Sequence, residues 1–155
     1  RISVTAGGGS NSSFDGVYRQ GKWRSAGDNC FSGWSHPRKV RSTLDTLATV
    51  IDEYGITSMV DLPCGDLCFM SSFLRAVLQV KPAFRYHGID RVGFVVDHHL
   101  AHYQPPVGYC VGCNITFSAM DARVHRPPQA DLLFSRTMMQ HMCTRDAVRI
   151  LRHLE

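Results

Sequence analysis

Four aspartates recur at or near the ends of short apolar runs: Asp61 and Asp66 in "VDLPCGD", Asp90 closing "FRYHGID" and Asp121 in "FSAMDA". Carboxylates in such places suit a ligand rich in hydroxyls and amines. An acid ending one strand accepts both hydroxyls of a ribose, while a neighbouring acid meets an adenine edge. Gly65 lies between the first two, and without a side chain it lets the backbone come close to a ligand and presents helix N-terminal amides to it. Each acid alone has a plainer use, capping the next helix or facing water. Their order on successive strand ends is what points to a cofactor.

The elements that must position them follow from periodicity. "TSMVDL", "FRYHGID", "CNITFSAMDA" and "ADLLFSR" are short apolar, β-prone runs and are read as strands. Over residues 37–54, Val40, Leu44, Leu47, Val50 and Ile51 recur at helical spacing, and Gly55 stops the run. "FMSSFLRAVLQV", "VGFVVDHHLAHYQ" and "TMMQHMCTRDAVRILRHL" carry helical character between and after the strands. Strands alternating with helices through short turns predict an α/β fold, a parallel sheet with helices on both faces. Residues 1–13 are Gly- and Ser-rich and read as a flexible lead-in, while "FDGVYRQGKWRSAGDNCFSGWS" reads as an irregular segment that packs on something.

With 155 residues, 44% of them apolar, the chain supports one core and not two. Its formal charge of +4 is modest and scattered apart from "HPRKVR" at 36–41, which suits either an anionic ligand or a solvated junction before a helix. Nucleic acid is therefore not indicated as a partner. No apolar run is long enough to span a bilayer, and the first residue is Arg1 rather than Met, so the native N-terminus, with any targeting signal, is expected to lie upstream. Six cysteines, in a chain so well supplied with apolar residues, are expected to be mostly reduced, which implies an intracellular and cytoplasmic protein.

One other constellation competes. His98 and His102 lie one helical turn apart, and Cys110 and Cys113 have Cys-x2-Cys spacing, which together make the donor set of a tetrahedral zinc site. The alternative is that Cys113 begins the third strand and that the Cys-x2-Cys spacing arises by chance. No Gly-x4-Gly-Lys loop, Gly-x-Ser-x-Gly turn or Gly-x-Gly-x-x-Gly fingerprint is present.

"VDLPCGD", "YHGID", "FSAMDA" and "DLLFSRTMMQHM" resemble the successive motifs of class I S-adenosylmethionine-dependent methyltransferases. The closer resemblance is to a subgroup whose first motif reads Asp-x-Pro-Cys-Gly-Asp, matched by Pro63, Cys64, Gly65 and Asp66, before a helix opening with an aromatic and Met, here Phe69 and Met70. Tyr18, Trp23, Ser32 and Gly33 fit its N-terminal pattern, so the resemblance covers residues 14–150 and implies a methyltransferase-like domain over 14–155. It implies a Rossmann-like sheet, truncated after strand four because the family has seven strands, with a partner or a missing C-terminal segment covering the sheet edge.

The resemblance implies S-adenosylmethionine as cofactor, with its methionine moiety against residues 61–66, including Asp61, Cys64, Gly65 and Asp66. Asp90 would take the ribose hydroxyls with Arg91 beside the adenine, and Asp121 and Ala122 the adenine edge. Ser135 and Arg136 would line the floor towards the acceptor, and Trp23 with Ser32 and Gly33 would cover the pocket. Methyl transfer from a sulfonium needs alignment more than a protein nucleophile. Where the acceptor must lose a proton, His141 or Asp66 is the candidate base, although a histidine beside methionines on a helix also serves packing. Leu67 stands where the family prefers glycine and is expected to add bulk near the ligand. The acceptor is not legible, and a catalytically inactive scaffold or assembly module is the alternative function.

Overall fold

The computed structural model of the protein describes residues 13–20, 30, 37–109, 111–112 and 114–154. The elements in order are helix α1 (Ser13–Arg19), helix α2 (Pro37–Glu53), strand β1 (Ser58–Asp61), helix α3 (Met70–Val80), strand β2 (Arg85–Asp90), helix α4 (Gly93–His102), strands β3 (Ile115–Ala119) and β4 (Leu132–Phe134), a 3-10 turn (Met139–His141) and helix α5 (Thr144–His153). The four strands form one all-parallel sheet in the order β3-β2-β1-β4, a Rossmann-like α/β arrangement.

Helix α2 starts at Pro37, a residue suited to the first helical position, and buries Val40, Leu47 and Ile51 along one stripe. It stops because Gly55 takes φ +61, so that the Ile56 amide donates to the Ile51 carbonyl (3.0 Å) and the Gly55 amide to that of Asp52 (3.2 Å). This pair of bonds satisfies carbonyls that the helix end would otherwise leave open. The chain then enters β1, and Asp131 ties that entry to β4: its Oδ2 accepts from the Thr57 amide (2.8 Å), the Thr57 hydroxyl (2.7 Å) and the Ser58 amide (2.9 Å).

Register sets what each sheet face carries. Met59 pairs with Tyr86 and Tyr86 with Ile115; one step on, Asp61 pairs with Gly88 and Phe134, and Gly88 with Phe117. These residues share one face, where the apolar ones pack with α2, α3 and Val96 of α4 into the larger core. Val60 and Ile89, on the alternate positions, face the other way and pack with Leu62, Ala122 and Ile150 of α5. Helices thus cover both faces, as the alternation of strands and helices predicts. The acids are delivered to the carboxyl ends of neighbouring strands.

Three expectations differ from the structure. Residues 13–19 are helical, not irregular; α1 contains Gly16, carries no long apolar stripe of its own, and lies with Tyr18 half-buried against the turn at Gly65. The final helical stretch is broken, because Cys143 is extended (φ −70, ψ 154) between the 3-10 turn and α5. Cys30 and Cys68 form a disulfide, with Cα atoms 5.5 Å apart, whereas Cys64 and Cys143 are free thiols. The expectation of reduced cysteines therefore fails for that pair, because the fold brings Cys30 beside Cys68, just before α3, a proximity no local pattern reveals. Among the described residues, no helix is long and apolar enough to cross a membrane.

Leu67 has φ +54, in the left-handed region that favours glycine, yet its side chain is only 2% exposed and belongs to the larger core. Packing here outweighs a backbone preference of roughly 1 kcal/mol. Leu67→Ala is expected to lower unfolding free energy by about 2–5 kcal/mol in urea denaturation; a change below about 0.5 kcal/mol would show that the buried leucine does not support the turn.

Candidate functional site

Asp61, Asp90 and Asp121 come together at the carboxyl end of the sheet, around a cavity of about 480 Å³. Its walls include Leu62, Phe69, Phe134, Met120 and Met138, so the acids face an apolar chamber. Position alone accounts for this. In a parallel sheet the loops diverge beyond the strand ends and leave a crevice there.

Asp61 is 2% exposed and accepts a hydrogen bond from the Tyr86 hydroxyl at 2.7 Å. That contact is diagonal across the strands, since the residue opposite Asp61 is Gly88, two positions beyond Tyr86. A Cβ at Gly88 would lie 2.8 Å from Phe117 Cδ1 and 3.1 Å from Tyr86 Cε1, so the missing side chain makes room for the tyrosine ring. Burial pushes the Asp61 carboxyl up to about 7; the Tyr86 hydroxyl opposes this and the neighbouring Asp90 adds to it.

Asp90 is organised differently. Its Oδ1 accepts from the Val92 amide (2.9 Å) and its Oδ2 from the Gly65 amide (3.1 Å). Desolvation raises its pKa, and these backbone bonds pull it back towards the ionised form. The turn is pinned further by the Cys64 amide donating to the Ile89 carbonyl (2.8 Å) and by His99 Nε2 meeting the Gly65 carbonyl (2.7 Å). Gly65 itself takes φ +54, and a Cβ there would sit 3.2 Å from the Tyr18 hydroxyl oxygen. Burial, with Asp90 and Asp66 close by, raises the Tyr18 phenol, and burial likewise raises the Cys64 thiol.

Asp121 is already engaged. Arg123 donates to it from Nε (2.9 Å to Oδ1) and from its own amide (3.0 Å), and its Nη1 reaches Asp146 of α5 at 3.3 Å. Those bonds hold the Asp121 carboxyl down at about 2. Ala122 beside it is buried, and its carbonyl contacts His153 Nδ1 at 2.8 Å, which fixes the end of α5 over the loop.

Of the remaining residues singled out in the sequence, Cys64, Gly65, Arg91, Arg136 and His141 line the same cavity. The Arg136 guanidinium lies 5.5 Å from the centre of the Phe69 ring, and His141 is exposed on the 3-10 turn with Nε2 3.2 Å from Gln140 Nε2. Asp66 and Leu67 instead line a neighbouring depression with His98, His99 and His102, where Asp66 Oδ1 accepts from the Cys68 amide (3.2 Å). Leu67 therefore adds its bulk behind the turn, not in the cavity. Ser135 is exposed and is not among the residues lining the cavity. Trp23, Ser32, Gly33, Cys110 and Cys113 lie outside the described residues. His98 and His102 stack with ring centres 4.6 Å apart, and no group of three or more potential metal ligands occurs among the described residues.

Sequence reasoning missed Tyr86, His99 and Arg123. Tyr86 was within reach, since it sits four residues before Asp90 on a strand and so shares its face. His99 was overlooked for His98 and His102, although Val95, Val96 and His99 mark the buried side of α4. For Arg123 only its closeness to Asp121 was available.

Two outcomes follow from the buried acid. Because the folded-state pKa of Asp61 is raised, its protonated form favours folding at low pH, and that contribution falls away as pH climbs from about 4 towards 7. Relative to Asp61→Asn, the wild type is expected to lose stability across this window by up to about 1.4 kcal/mol per pH unit in denaturation curves; parallel pH profiles would refute it. Gly88→Ala is expected to cost about 1–3 kcal/mol through the clash with Phe117 and Tyr86, measured by the denaturation midpoint. Comparison of the chain with protein-family models and with curated proteins returns no match.

Proposed function

We propose that this is an S-adenosylmethionine-dependent methyltransferase domain acting on an acceptor still to be identified. The observation that carries the reading is the pair of buried carboxylates, Asp61 and Asp90, on adjacent strand ends either side of the Gly65 turn, at an apolar cavity of about 480 Å³. A ligand for such a place needs a cationic part to favour ionised Asp61 and vicinal hydroxyls for Asp90. S-Adenosylmethionine carries both.

The residues fit that group. A carboxylate offers about four acceptor positions, and the Val92 and Gly65 amides, with the Arg91 amide beside them, take only part of that capacity, which leaves room for a ribose hydroxyl. Gly65 brings bare backbone to the turn, and Asp61 lies below it with Tyr86 holding one oxygen. Met120, Met138 and Phe134 give the chamber apolar walls, and Arg91 and Arg136 line it as well. When bound, the cofactor supplies a methyl group activated by its sulfonium. The chain's own task is then to orient, to desolvate and to counter positive charge. His141, exposed at the cavity, has access to an acceptor proton. An intracellular, cytoplasmic location belongs to the same reading, although the Cys30–Cys68 disulfide is the kind of bond that persists in oxidising compartments.

A scaffold that binds little or no cofactor is the second reading, and one observation favours it: Arg123 already occupies the Asp121 carboxylate that would face the adenine edge.

Isothermal titration with S-adenosylmethionine and S-adenosylhomocysteine separates the two. Binding of both is expected, weakened at least about 10-fold by Asp90→Ala, since that change removes charge-assisted bonds worth about 1.5–3 kcal/mol. No binding by the wild type would reject the methyltransferase reading, and unchanged binding by Asp90→Ala would reject the ribose assignment.

A further inference from the structure

Gly65 is held from two sides. Its amide is directed into Asp90 at the end of β2, while its carbonyl points away and meets His99 Nε2 at 2.7 Å. Because that nitrogen faces a carbonyl, it must carry the proton. His99 is 5% exposed, lies on the buried side of α4 with Val95 and Val96, and has its ring 5.2 Å from that of Phe117. It is not among the residues lining the candidate cavity; it borders the neighbouring depression with Asp66 and Leu67.

The turn needs such a hold. Gly65 and Leu67 both take φ +54, and glycine permits many backbone conformations, so the peptide linking Gly65 to Asp66 has little intrinsic reason to keep one orientation. Tyr18 and Asp90 approach Gly65 itself, and Cys64 is fixed to Ile89. The bond from His99 fixes the following peptide plane, and with it the direction in which the chain leaves for α3.

We propose that His99 is a positioning residue for the cofactor turn: its Nε2–H fixes the Gly65 carbonyl from outside the cavity, and so sets cofactor affinity without touching the cofactor. The inference rests on the methyltransferase reading above. It extends the site to a helix whose histidines had suggested only metal binding.

The test compares wild type, His99→Leu, which keeps apolar bulk without a donor, and His99→Gln, which keeps an amide donor. S-Adenosylhomocysteine affinity is measured by titration and folding by thermal melting. His99→Leu is expected to bind about 10-fold more weakly, as loss of one buried hydrogen bond implies, and His99→Gln to recover to within about threefold of the wild type. Wild-type affinity in folded His99→Leu overturns the inference. Equal losses in both variants also overturn it, because they mark a packing role alone. Should His99→Leu fail to fold, nitrogen-15 spectra of wild-type histidines decide: an Nε2–H tautomer whose signal shifts on saturation with S-adenosylhomocysteine supports the inference, and an Nδ1–H tautomer or an unmoved signal overturns it. A wild type that binds no S-adenosylhomocysteine removes the methyltransferase reading and this inference with it, whereas a binding wild type with an indifferent His99→Leu removes this inference alone.

Discussion

The carboxyl end of the sheet depends on one hydrogen bond, from the Gly65 amide to the Asp90 carboxylate. It joins the loop leaving β1 to the end of β2, and it draws a buried acid and a bare backbone segment to the same wall of the cavity. Without it Asp90 would be a desolvated carboxylate with one fewer donor, a state that costs more than the bond itself contributes. Its effect reaches outward through the chain. The orientation of Gly65 determines where its carbonyl meets His99, and the path after it determines that Leu67 turns into the core behind.

Behind the turn the sheet works as an alternating carrier. Odd positions on β1 and even positions on β2 share the face of the larger core, so the periodicity that buries Met59 and Tyr86 also places Asp61 and Asp90 on that side at the strand ends. Gly88 is the space in this pattern. Opposite Asp61 any side chain would strike Phe117, and its absence lets Tyr86 lean across to the carboxylate. Stability and site geometry are joined here, because the ring that fills the core also solvates the acid.

Much of this was legible in the sequence, and the gaps have physical causes. The four strands, α2, α3 and α4 follow from runs and periodicities set by burial, and each begins and ends within a few residues of where those patterns place it. Helix α1 was not legible because it is only seven residues long, and its half-buried Tyr18 finds its partner 47 residues further along the chain at Gly65. The disulfide from Cys30 to Cys68 is hidden for the same reason. Leu67 misled in a more instructive way. A bulky residue at a glycine position suggests an obstructed pocket, but in the left-handed conformation its side chain is carried to the far side of the turn, where the core accepts it.

The two buried acids of the cavity stand in different electrostatic settings, Asp90 held by backbone amides and Asp61 by the Tyr86 hydroxyl. A carboxyl displaced from 3.8 to about 7 meets resistance to ionisation on the order of 4 kcal/mol, and among the described residues Asp61 receives the Tyr86 hydroxyl in return. Asp121 shows what the chain does where it balances charge for structure: a guanidinium is brought in, bonded along its edge, and shared with α5. Among the described residues, no such cation is bonded to Asp61. A buried acid without a cation is usually disfavoured, and perturbed acids in clefts concentrate at functional sites. The compensation that Asp121 receives from Arg123 is what a positively charged ligand would bring to Asp61, and the apolar walls around it would strengthen that attraction by keeping water out.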